Sequence, residues 1–394
     1  MRELPLRSLH EMSGALFAER AGWNVPLSYT GLDEEVGAAR STAGVIDQSD
    51  RVKVRLSGPD RVSFLNGLLT QDIAGLKPGE WTYALFLNPK GKVVGDATVF
   101  ALENAFLLDL LADESDRVLD HIRKHLISDD VTVEPLPGAA DIALHGPSAP
   151  FLLRRILGDG RPPRFGEFLS TPMNRTRSMI VASTDFLRLP AFRFISDSDP
   201  LDGVWRTLTA FGGSTVGGAT PMGREAWNTL RIEAGRPLVG VDMDESTIAL
   251  ETRMESAISY TKGCYEGQEV IARATYQGHM NRHLVGFRVE GDTVPTRGDS
   301  VLLDGKAVGE ATSAAYSPTL RYVIAMGYVR RPSDEPGTRV VIETDSWQLR
   351  ASVSDLPLVG KPRGPSDLHR VQRRPALLPE PERRALVLHV EGED

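Results

Sequence analysis

The stretch 260–273, reading YTKGCYEGQEVIAR, concentrates the residues whose types and spacing could do chemistry. It carries the chain's one thiol, Cys264, between Gly263 and Gly267, with Lys262 two positions earlier. Two glycines four apart suggest a tight loop that needs positive φ or lets backbone or ligand approach closely. Gln268 and Glu269 lead into Val270, Ile271 and Ala272, which places Glu269 in the first turn of a helix. A neighbouring Lys262 favours a thiolate, as does a helix N-terminus. Two readings stand open on the residues alone. Cys264 is either a buried structural cysteine in a Gly-rich turn, or a working thiol: a nucleophile, a redox handle or one ligand of a cluster shared with a partner. A Cys–His dyad has no nearby second member, since His279 is fifteen residues on.

Other features carry less. His279 and His283 have the four-residue spacing of a helical metal pair, but no HExxH pattern or acidic neighbours accompany them, and no metal site is read there. The pairs Gly212-Gly213 and Gly217-Gly218 lack the Lys and Ser/Thr of a phosphate loop and read as turns. Arg370, Arg373 and Arg374 are offset by Glu380, Glu382 and the terminal acids, so the tail reads as a solvated segment.

Composition sets the bounds. A chain of 394 residues exceeds one ordinary core and suggests two or three domains. A 41% hydrophobic and 25% charged composition belongs to a globular protein. The net charge of -8 argues against direct nucleic-acid binding or an anionic-membrane surface, both of which require excess Lys and Arg. One cysteine excludes an intrachain disulfide and a four-thiolate zinc or iron–sulfur site from one chain. Residues 1–16 are broken by Pro5, Arg7, His10 and Glu11, and no apolar run reaches about 18 residues, so neither a secretory leader nor a spanning helix is expected. A cytoplasmic location follows as the expectation.

The elements that must position the thiol loop follow from periodicity. A short helix is predicted over 11–19, a strand over 51–56, and a helix opened by Pro59-Asp60 with Val62, Leu65, Leu68 and Leu69 on one face. Strands are predicted over 82–87, 93–102 and 105–110, a helix over 115–126, and a strand over 131–135. The pattern restarts with a strand at 142–144 and a helix at 149–157, then a strand at 186–194 and helices at 201–211 and 224–234, the last stopped by Gly235 and Pro237. After residue 281 short strands separated by Gly, Asp and Pro turns indicate a small antiparallel barrel. The expected fold class is α+β: two α+β domains with antiparallel sheets, 1–140 and 141–280, a C-terminal β-barrel at 281–358 and an extended or partly disordered tail at 359–394.

The motif KGCYEGQE at 262–269 resembles the signature of the YgfZ family, Lys-Gly-Cys-aromatic-x-Gly-Gln-Glu. LRIEAGRPLVGVDM resembles a helix-and-turn segment shared by YgfZ proteins and the glycine-cleavage T-protein (GcvT) superfamily. AGWNVPLSY, LSGPDRVSFLNGLLTQDI and YALFLNPKGKVVGDATVF are similar to that superfamily as well, in order, across residues 10 to 290. The resemblance implies a three-domain cloverleaf around a central channel for tetrahydrofolate or a derivative. It implies that Asp96 matches one of two adjacent acids near the folate nitrogens, the other being replaced by Gly95, and that a carboxylate there accepts or relays a proton. Tyr83 and Arg231 match positions near the folate, where an aromatic wall and a guanidinium suit a pterin and an acidic tail. The Gly-Glu pair that grips the pterin in T-proteins is absent from Thr184-Asp185-Phe186-Leu187-Arg188, which implies weaker or differently oriented pterin binding.

The function expected from that signature is a folate-binding accessory protein. It would support assembly or repair of [4Fe–4S] enzymes through Cys264, with Lys262, Gly263, Tyr265, Gly267, Gln268 and Glu269 shaping its loop and iron–sulfur client proteins or assembly factors as partners. The alternative is a tetrahydrofolate-dependent aminomethyltransferase or demethylase of the T-protein type.

Overall fold

The computed structural model describes residues 1–173, 178–197, 201–210, 217–277 and 280–360. His279, Gly212-Gly213 and the arginines at 370, 373 and 374 lie outside the described residues.

Two α+β units, a closed barrel and a small three-stranded sheet of Arg2–Glu3, Trp23–Ser28 and Leu16–Arg20 make up the architecture among the described residues. The first sheet has five antiparallel strands in the order Trp81–Leu87, Val93–Ala101, Ala105–Leu110, Val52–Ser57, Thr132–Pro135. Its hairpin pairs Tyr83 with Thr98 and Leu85 with Asp96. Period-2 alternation therefore sends Tyr83, Asp96 and Thr98 to one face and Ala84, Phe86, Ala97 and Val99 to the other. That second face packs on the helices Arg61–Leu68 and Ser115–His125 through Leu65, Leu68, Val118 and Ile122. Gly95 lies on the helix side, where an added Cβ would stand 2.2 Å from a Val118 methyl. The missing second acid thus has a packing cause: the helix occupies its place.

The second sheet has six strands in the order Phe168–Pro172, Ser178–Thr184, Ala191–Ser196, Ala140–His145, Gly44–Asp47, Thr220–Pro221. Gly44–Asp47, far earlier in the chain, completes its core with Val45 beside Ile142 and Leu144. The barrel closes as Arg282–Val289, Tyr322–Arg330, Lys306–Ser317, Ser300–Leu303, Arg339–Glu343, Gln348–Ser354 and back to the first strand. Among the described residues no helix is long and apolar enough to cross a membrane.

Two local expectations change. The predicted helix over 11–19 is a helix at Arg7–Met12 followed by a strand at Leu16–Arg20, because Gly14 at φ +77° ends the helix and the next residues pair with Trp23–Ser28. The strand predicted over 186–194 begins only at Ala191. Arg188 takes φ +55° and Pro190 lacks an N–H, so 185–190 forms a turn instead.

Burial of charge ties the sheets together. Asp109 accepts from Arg51 Nε at 2.8 Å and from Arg193 Nη1 at 2.7 Å, and lies 2.9 Å from Lys53 Nζ. Asp141, on the other sheet, pairs with Lys53 at 3.0 Å and with Arg193. These cations hold Asp109 well below the usual carboxylate range against the opposing effect of burial.

Candidate functional site

A cleft of about 1250 Å³ opens between the two sheets, and it draws its lining from both of them and from the helix Arg224–Glu233. Asp96, 6% exposed, sits on its floor and accepts a 2.6 Å hydrogen bond from the Tyr83 hydroxyl. Burial raises the Asp96 pKa above its ordinary value, and Tyr83 and Arg51 pull it back down. The Tyr83 phenol is raised by burial and then by Asp96, so it stays a proton donor.

One wall is aromatic. Phe186, from the 185–190 turn, stacks on Trp227 with centroids 5.7 Å apart and planes 5° apart. Arg236 lies over Phe186 at 5.8 Å and donates to its carbonyl at 3.0 Å. Burial lowers the pKa of Arg236, and lowers Arg188 to about 10. Arg188 donates to the Ala234 carbonyl at 2.9 Å. His145 also lines the cleft, is 2% exposed, and neither ring nitrogen has a hydrogen-bond partner in the described structure. Burial, and then the Arg193 charge, lower its pKa to about 3, so the ring is neutral. Exposed Lys77 and Arg164 stand at the rim.

Tyr83 and Asp96 thus meet in the cleft, but the remaining residues singled out from the sequence do not join them. Arg231, 2% exposed, lies outside the lining. It donates to Asp242 at 2.5 Å and to Ser313 Oγ at 2.6 Å, fastening its helix to the barrel. A bulge at Ala311/Ser313 turns both Thr312 and Ser313 toward Asp242, at 2.5 and 2.6 Å. The resemblance implied that Arg231 faces the folate; instead its Nε donates to Asn228 on its own helix at 2.9 Å and its ionic partner is Asp242, eleven residues on.

The Cys264 loop also lies outside the cleft lining. Cys264 is exposed. Lys262 does not serve it: the ammonium donates to three backbone carbonyls, of Asn66 at 2.5 Å, Leu69 at 2.7 Å and Gln71 at 2.9 Å, and burial lowers its pKa to about 8. Tyr265 is buried against Leu85, Leu87 and Val93. Gly267 has φ +78°, and a Cβ there would stand 2.7 Å from the Asn88 carbonyl oxygen, so the loop needs glycine for close approach. Gln268 accepts from the Tyr265 amide at 3.3 Å. Glu269 is exposed on the helix Gln268–Gln277 and pairs with Arg273 at 2.8 Å. Gly263 meets nothing within 4 Å.

Arg51, Arg236, Phe186, Trp227 and His145 were missed. Nothing in their spacing marks them, since they come from separate elements. The one available signal was the departure at 184–188 from the Gly-Glu pattern, where Phe186 and Arg188 now line the cleft.

A buried carboxylate facing a cleft walled by stacked aromatics and arginines, on two α+β units followed by a barrel, is the arrangement that the fold and the site define. The chain matches the GCVT N-terminal domain over residues 6–262 and the glycine cleavage T-protein C-terminal barrel domain over 282–359, and it belongs to that family. It is 33% identical over 345 residues to an aminomethyltransferase of Rubrobacter xylanophilus, covering 87% of this chain and 90% of that one. It is 27% identical over 361 residues to the aminomethyltransferase of Halothermothrix orenii, covering 91% of this chain and all of the other. The glycine cleavage system aminomethyltransferase T of Bartonella henselae superposes with a TM-score of 0.81 at 26% identity, over 91% of this chain and 98% of that one.

These similarities overturn the expectation of an accessory protein for iron–sulfur enzymes. The relatives named above, which match 87% to 91% of this chain, are aminomethyltransferases, and the thiol on which the accessory role rested stands outside the cleft.

Proposed function

We propose that this chain is a tetrahydrofolate-dependent aminomethyltransferase of the glycine-cleavage T-protein type, with its reaction centred on Asp96. The observation that carries the reading is the Tyr83–Asp96 pair at 2.6 Å on the cleft floor. The residues present suit the cofactor. The Phe186–Trp227 wall offers a face for a flat ring, Arg236, Arg188 and the rim cations complement an acidic tail, and His145 has two ring nitrogens without protein partners. Bound tetrahydrofolate supplies the amine nitrogens that accept the one-carbon unit.

Asp96 is the group that accepts or returns a proton as an amine gains or loses its bond to carbon. Burial makes it a stronger base than a surface carboxylate, while the Tyr83 hydroxyl and Arg51 favour its ionised form. Tyr83 also fixes the orientation of the carboxylate, so no rotamer search precedes transfer. The KGCYEGQE segment supports placing the chain, by sequence, on a YgfZ-like branch of the family. Its composition and charge fit a cytoplasmic enzyme.

The test is to supply purified protein with tetrahydrofolate and an aminomethyl donor, and to follow methylene-tetrahydrofolate and ammonia together. The reading holds if the two appear in equal amounts with wild type and Asp96→Asn slows both by about 10²-fold or more. No product with wild type, together with no tetrahydrofolate binding by calorimetry, would end it.

A further inference from the structure

Among the described residues, one group of three metal-ligating side chains lies apart from the cleft: His121, His125 and Glu266. We propose that it is a binding site for one divalent transition ion of the zinc class, which staples the KGCYEGQE loop to the helix Ser115–His125.

The two histidines sit four apart on that helix, so both rings project from the same face. Their centroids are 4.5 Å apart. Glu266 enters from the thiol loop, where its amide donates to the Gly67 carbonyl at 3.0 Å. Its Oε2 lies 3.1 Å from His121 Nε2 and 3.2 Å from His125 Nε2. Ligand atoms about 2.0–2.1 Å from a tetrahedral zinc stand about 3.3 Å from one another, so both separations match edges of such a polyhedron.

Proton placement favours an ion over plain hydrogen bonds. His125 Nδ1 lies 2.8 Å from the His121 carbonyl, which can only accept, so that nitrogen carries the proton. In the neutral ring Nε2 then turns a lone pair toward a carboxylate oxygen. The His121 side chain is only 9% exposed, and its Nε2 is buried without a hydrogen-bond partner, as is Glu266 Oε2. His121 Nε2, His125 Nε2 and Glu266 Oε2 converge within 4.8 Å of one another, and a cation among them supplies the partner that the first and last of these atoms lack. The Nδ1–carbonyl bond is the outer contact that fixes a ligating histidine's tautomer and orientation. The helix C-terminus adds its negative dipole end.

Two imidazoles and one carboxylate leave a fourth position open for water, a donor set suited to zinc. The site lies behind the floor sheet, on its helix side, where His121 also packs edge-on against Phe86 at 5.9 Å. Its effect is to hold the loop against the same helix that backs the Asp96 strand.

The experiment uses the untagged full chain, stripped with a chelator and titrated with Zn²⁺ by calorimetry. Co²⁺ serves as an absorption probe of coordination, and melting is measured with and without Zn²⁺. His125→Gln and Glu266→Gln are compared after circular dichroism confirms that the metal-free variants fold. Wild type is expected to bind one Zn²⁺ per chain, to give the visible bands of four-coordinate Co²⁺ and to melt higher with Zn²⁺. Each variant should bind at least about tenfold more weakly and lose the melting shift. Cys264→Ser should bind as wild type does. The site is refuted if wild type takes up no stoichiometric Zn²⁺, if uptake survives both substitutions, or if Cys264→Ser removes it. In the first case the carboxylate merely pairs with a protonated His125.

Discussion

Tyr83 donates its hydroxyl to Asp96 across one diagonal step of a β-hairpin, at 2.6 Å, and both face the cleft. Because Asp96 is raised by burial and lowered by this bond, removing the hydroxyl moves the carboxyl upward. Tyr83→Phe is therefore expected to shift the acid limb of the rate profile to higher pH, while Asp96→Asn lowers turnover by about 10²-fold or more with tetrahydrofolate affinity little changed. Rate profiles and calorimetry on both variants check this. An unmoved acid limb in Tyr83→Phe would detach the limb from Asp96.

His145 gives a pH dependence of stability. Its folded pKa, about 3, is below the ordinary 6.5. The folded state thus binds fewer protons, and stability falls as pH drops from about 6.5 toward 3. Replacing it by Leu should flatten that part of the curve in urea titrations and weaken ligand binding. An unchanged acid slope counts against the assignment.

Asp109 behaves with the opposite chemistry and the same slope. Its depressed carboxyl contributes stability that is complete above the unfolded value of about 4 and is lost as pH falls through the folded one. Asp109→Asn leaves Arg51, Lys53 and Arg193 short of a buried partner and should cost about 3–5 kcal/mol. Denaturant unfolding at neutral pH measures it.

Gly95 is held by packing. Gly95→Ala should destabilise by about 1–3 kcal/mol, since its methyl meets Val118 at 2.2 Å. Adding Val118→Ala should recover part of that loss, and a double-mutant cycle reads the coupling. Simple additivity would show that the clash is relieved elsewhere.

Cys264→Ser is expected to leave aminomethyl transfer and tetrahydrofolate affinity unchanged, because the thiol is exposed and outside the cleft lining. Lys262→Met, in contrast, removes the donor from three carbonyls and should cost about 1.5–3 kcal/mol. Hydrogen exchange in residues 66–71 would report the loosening.

Local pattern was enough for the α+β class, the barrel and most elements of the first unit, because alternation and helical spacing are properties of neighbouring residues. Tyr83 and Asp96 were named not by periodicity but by the resemblance to the T-protein superfamily, which lies in contiguous motifs. Tertiary structure decided the rest. Gly44–Asp47 joins a sheet built of residues 140–221, since strand pairing is set by what a face can bury, not by chain proximity. Arg231 looked like a folate contact until the 238–243 turn set Asp242, and the barrel's bulge Ser313, against it. Lys262 and Cys264 are near neighbours in sequence, yet the ammonium turned to the carbonyls after residue 66, where three acceptors satisfy its three protons. The His121–His125–Glu266 group combines a spacing visible on one helix with a carboxylate about 140 positions later, and only folding, which trades chain entropy for burial, brings them together.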